Sequence, residues 1–169
     1  MKKLVLFTVC LLLVVPVLSA QCKHLEEMAK HWKVSKDFTL AVADLMPAES
    51  YDFKPSPEEM TFGELMVHIG MPNTNAAAMV TGSKSPFTKP ASMDKATVMK
   101  FLTDTFDYVI KTVEGLKEEQ IHAMTGAPGR PQLSGNERLW SYFTHTAHHR
   151  GQAEVYLRVK GIKPPPYKF

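Results

Sequence analysis

Cysteine is almost absent: the 169 residues carry only Cys10 and Cys22. If Cys10 departs with an N-terminal leader, Cys22 is left without an internal partner. A disulfide framework is thereby excluded, and packing alone must hold the fold together. Runs of basic residues are also lacking, and the formal net charge is +3, so composition gives no footprint for nucleic acid. No stretch shows sustained strand alternation, and no internal repeat is present. Against these absences, hydrophobic residues make up 44% of the chain. That is enough to bury a core, and the length suits one domain with a short appendage.

The appendage is the opening "MKKLVLFTVCLLLVVPVLSA". Two lysines, an apolar run from Leu4 to Leu18 and small residues at its end have the layout of a secretory leader, with cleavage expected after Ser19 or Ala20. The run is short for a membrane span and contains Pro16. Residues 1–20 are therefore expected to direct export to a secreted or periplasmic location, and residues 21–169 to form the domain. Loss of Lys2 and Lys3 leaves 18 basic residues against 17 acidic ones. Neither nucleic acid nor, after leader removal, a membrane is an expected partner. A small-molecule substrate and a homodimer remain open.

Four amphipathic stretches recur at helical spacing. The first carries Leu25, Met28, Trp32, Phe38, Val42 and Leu45, and Pro47 marks its end. Thr61 and Glu64 form a capping-box signature that opens a second helix through Leu65, Ile69 and alanines 76 to 78. Within it, Pro72 removes the helical hydrogen bond to the His68 carbonyl and predicts a kink. A third helix is predicted from Asp94 through Val98, Phe101, Leu102, Val109, Val113 and Leu116. "TGAPGRPQ" reads as loop, and Ser134 with Glu137 caps a fourth helix that runs to Lys160 and stops at Gly161. Helices of roughly 20 to 26 residues span about 30 to 39 Å, the scale of a four-helix bundle.

"HTAHHRGQAEVYLR" places three histidines within five positions of the fourth helix. Leu139, Tyr142, His145, His149, Gln152 and Tyr156 share a stripe at steps of three and four, so His145 and His149 project together about 6 Å apart along the axis. Such a pair can bind one metal ion, as in the helical HExxH arrangement. His148 is rotated by about 100° and belongs at the stripe's edge. His68, beside the buried face of the second helix, is the best candidate for a third ligand. His24, His31 and His122 lie near segment ends and receive no chemistry. Tyr142, Gln152 and Tyr156 are placed to line a pocket but read first as bundle packing, Arg150 as one half of a structural salt bridge, Gly151 as a site of close helix contact, and Glu64 as a cap.

The segments "MPAESYDFKPSPEEMTFGELMVHI" and "HTAHHRGQAEVYLRVKGIKPP", the latter with its H-x-x-x-H-R-G-Q core, resemble the DinB family, also described as DinB/YfiT-like. The resemblance covers the whole mature chain. It implies an all-α four-helix bundle with up-down-down-up topology and one divalent metal held by His68, His145 and His149. Parallel second and third helices would need a crossover, and residues 82–93 can stretch to about 40 Å. Three imidazoles leave coordination positions open, as catalytic sites do, and suit zinc, nickel, copper or iron. The expectation is a metal-dependent enzyme of unknown substrate, with hydrolysis the leading reaction. Thiol transfer, known among relatives, is an alternative, although thiol cofactors are scarce outside the cytoplasm. A bundle that binds metal or a partner without turnover is the other.

Overall fold

The computed structural model describes residues 2–126, 129 and 131–168, with side chains from residue 23 onward. The expected leader, residues 1–20, lies outside the residues described with side chains. Among the described residues five α-helices form: α1 (Lys2–Leu45), α2 (Phe62–Val80), α3 (Lys95–Glu114), the short α4 (Glu118–His122) and α5 (Gly135–Val159). Two-residue strands β1 (Met124–Thr125) and β2 (Leu133–Ser134) pair antiparallel before α5, with Met124 opposite Ser134. Among the described residues, no helix is long and apolar enough to cross a membrane.

Cross-helix contacts give the direction of each long helix. On α1 and α3, Lys33 meets Glu114, Lys36 meets Asp107 and Asp44 meets Lys95, so these helices are antiparallel. On α1 and α5, His24 meets Asn136, His31 packs on Trp140, and Ser35 meets Arg150, so these run together. His68 and Asn73 of α2 reach His149 and Thr146 of α5, which makes that pair antiparallel. The result is an up-down-down-up bundle in which α2 and α3 are parallel neighbours. Gly70 faces α3 closely, and a Cβ there would come within 2.8 Å of Thr105 Oγ1 and 2.9 Å of the Phe101 ring.

Local chemistry fixes the helix ends. The Thr61 side chain accepts from the Glu64 N–H at 3.1 Å, while the Glu64 carboxylate accepts from the Thr61 N–H at 2.9 Å. Ser134 and Glu137 repeat this capping box at the start of α5. At the far end Gly161 takes φ +73°, and the Ile162 N–H donates to the Leu157 carbonyl at 2.9 Å in a Schellman closure.

Three expectations need correction. Leu45 is 41% exposed, and Met46, fully buried, takes the core position, because the stripe from Met28 through Trp32, Ser35, Thr39 and Val42 continues to 46. Helix α3 stops at Glu114 with Gly115 as its cap, so Leu116 is buried beyond the helix rather than on it. The segment after α3 contains α4 and the paired strands, which are too short to show a period. Pro72 lies inside α2, which runs on to Val80.

Candidate metal centre

The capped start of α2 and the unbroken α5 bring His68, His145 and His149 together. One ligand-type nitrogen from each lies within 4.8 Å of the others. His68 Nε2 and His149 Nε2 are 3.2 Å apart, and the His145 ring is centred 5.1 Å from His68 and 4.4 Å from His149. All three are half-buried. His148 is exposed, with its ring 4.8 Å from that of His149, and it lies outside the cluster. His24, His31 and His122 also lie outside it, bound to Asn136, stacked near Trp140 and Phe143, and beside Glu118 respectively.

Two neighbours of the cluster lock its geometry. Gln152 Oε1 is 2.6 Å from His149 Nδ1. A carbonyl oxygen only accepts, so Nδ1 carries the proton and the neutral ring turns its Nε2 lone pair toward His68. Gln152 is therefore more than the packing residue its position suggests. The second neighbour is Asn73, buried on α2, whose side-chain amide donates to Thr146 Oγ1 at 2.8 Å. Thr146 in turn donates to the Tyr142 carbonyl at 3.0 Å, fixing α2 against α5 within a turn or two of the ligands. The sequence gives no signal for this pair, because two ordinary polar residues 73 positions apart meet only through the tertiary fold.

Tyr142 lines a cavity of about 520 Å³ together with Met79, Leu133, Arg138, Ser141 and His145, the pocket-lining place its stripe on α5 allows. Tyr156 remains a packing residue, with its hydroxyl donating to the Met60 carbonyl at 2.9 Å. Glu64 is the expected cap; the Thr61 N–H holds its carboxyl below the usual range. Arg150 departs from expectation. Its buried guanidinium donates to Ser35 Oγ at 3.0 Å and Thr39 Oγ1 at 3.5 Å and stacks 4.3 Å over Phe38, with no ion pair to a carboxylate of the described residues. Gly151 makes no close helix contact, since a Cβ there would meet nothing within 4 Å.

The donor chemistry fits a cation. His145 Nδ1 is buried without a hydrogen-bond partner, which costs free energy unless something occupies that position. Burial, followed by the neighbouring His149 and His68, lowers the His145 pKa from 6.5 to about 4, and burial also lowers that of His68. Both rings are thus neutral at pH 7, the form that ligates. Between an unfolded value of about 6.5 and the folded value near 4, the unfolded chain binds more protons. Stability present above pH 6.5 is therefore lost as pH falls toward 4. Thermal melts of chelator-treated protein across that window should show a declining midpoint, and His145→Gln should flatten the decline. An unchanged slope in the variant would assign the loss to other groups.

The fold and the paired nitrogens define a class, four-helix bundles with a three-histidine cluster on one helix–helix seam. Residues 31–153 match the DinB superfamily, and the chain belongs to it. It is 27% identical over 146 residues to the uncharacterised protein YjoA of Bacillus subtilis (strain 168), covering 83% of this chain and 94% of that one. The crystal structure of that DinB-like protein superposes with a TM-score of 0.72, covering 83% of this chain and 96% of that chain. A DinB-like protein from Bacillus cereus, 20% identical, also gives 0.72 over 84% of this chain and 96% of its own.

Proposed function

We propose that this chain is an exported metal-dependent enzyme that acts on a small molecule, with hydrolysis as its reaction. The observation that carries the reading is the convergence of one ligand-type nitrogen from each of His68, His145 and His149 within 4.8 Å, on a seam where the buried His145 Nδ1 has no hydrogen-bond partner. His68, His145 and His149 would hold one divalent ion, and among the described residues only imidazoles are gathered there, which would leave coordination positions open as in catalytic sites. Such an ion would supply Lewis-acid chemistry, polarising a bound oxygen; with zinc it would bring the pKa of water to about 7.

The chain's own residues supply the rest. Gln152 keeps the His149 proton on Nδ1 and its Nε2 free to ligate. Loss of such an outer partner weakens metal binding by roughly 10- to 100-fold. Gln152→Leu should show that drop in a chelator competition titration while melting normally in metal-free form; an unchanged affinity would return Gln152 to a packing role. Tyr142, Ser141 and Arg138 give the adjoining cavity a polar wall, and Met79 and Leu133 give it an apolar one, so a substrate with both characters fits beside His145.

The test has two arms. Metal analysis of purified protein, followed by a screen of the loaded protein with esters, amides, phosphoesters and thiol acceptors, should find hydrolysis that His145→Ala abolishes. Turnover of thiol acceptors alone would replace hydrolysis by thiol transfer, and metal without turnover would make the bundle a binding protein. Intact mass of protein recovered outside the cytoplasm should show a chain beginning at Ala20 or Gln21. A full-length species confined to the cytosol overturns export.

A further inference from the structure

A second cavity lies on the opposite side of α5, between α5 and α1. It measures about 430 Å³, and its walls include Phe38, Trp140, Phe143 and Ala147, with Arg150 and Ser35 among the lining residues. Arg150 is 7% exposed, and its polar partners are the hydroxyls of Ser35 and Thr39. A buried guanidinium ordinarily pairs with a carboxylate, because hydroxyls and a ring face return only part of its lost hydration. Here no carboxylate of the described residues forms an ion pair with it; Glu154, one turn along α5, acts on it only through the longer-range field. Glu154 also lines the groove, but its carboxylate lies 3.6 Å from Arg158. Lys168 adds a second cation at the rim.

We infer that this groove binds a small monocarboxylate with an aromatic or aliphatic body, its carboxylate on Arg150 and its body against Phe143 and Trp140. Arginine suits a carboxylate because its planar fork offers parallel donors. The volume suits a small organic molecule. Two cations against the single Glu154 carboxylate favour one negative charge over several. The site is independent of the histidine cluster and of the reaction proposed for it.

Phenylbutyrate, phenylbutanamide and inorganic phosphate are the probes, titrated calorimetrically into the full chain. Phenylbutyrate should bind, and the amide at least about tenfold more weakly, the loss expected for a charged hydrogen bond. Phosphate, lacking an apolar body, should bind weakly or not at all. Arg150→Gln should remove the preference for the acid. Should that variant fail to fold, Gly151→Leu decides, since a side chain at 151 enters open space, favours the helix and crowds the groove. It should keep or raise the melting temperature and lose phenylbutyrate by about tenfold or more. His68→Ala should leave phenylbutyrate binding intact. Equal affinity for acid and amide, no binding by the wild-type chain, phosphate binding as tight as the acid, or undiminished binding by folded Gly151→Leu would each overturn the inference.

Discussion

Alanine at His68, His145 or His149 is expected to lower zinc affinity by more than about a hundredfold, beyond what loss of an outer-sphere partner costs. Two imidazoles leave a solvated and weakly held ion. Competition against a chromophoric chelator measures the drop, and thermal shift checks it independently. An ion at 100 times its dissociation constant stabilises the native state by about 2.7 kcal/mol, a gain the three variants should lack. His148→Ala should behave as wild type, since its exposed ring stands outside the cluster. Equal losses in all four variants would place the centre on the wrong face of α5.

Trp32→Ala is expected to cost about 3–5 kcal/mol in urea denaturation, the range for emptying a buried aromatic site. Trp32 is 1% exposed, with Phe143 of α5 edge-on at 5.4 Å and Phe106 of α3 at 6.2 Å. Its indole N–H is buried without a partner, so Trp32→Phe, which removes that donor but keeps a ring, should cost much less. Because the histidines lie on the seam between α2 and α5, folded Trp32→Ala should keep its metal affinity. A parallel loss would show that α1 also supports the centre.

These two expectations draw differently on sequence. The histidines were legible because His145 and His149 obey an i, i+4 spacing and the H-x-x-x-H-R-G-Q segment resembles a family. Both capping boxes were legible because each is complete within four residues. Arg150 was misread because its partners Ser35 and Thr39 lie 115 and 111 positions away, and local pattern carries no trace of them. Leu45 and Met46 are neighbours with similar side chains, so only the phase of the stripe decides which is buried. Strands of two residues and a helix of five fall below the length at which any period can be detected.

Pro72 gives α2 a mechanical character that α5 does not share. The capping box at Thr61 and the Asn73–Thr146 bond pin α2 on either side of His68, while the missing amide at Pro72 releases the carbonyl of His68 itself. A beam held at two points yields at the weak section between them. His145 and His149 ride on an uninterrupted rod at a fixed pitch. The give of the cluster is therefore concentrated in His68, the candidate ligand with the most freedom to adjust to the radius of an ion that the three rings would hold.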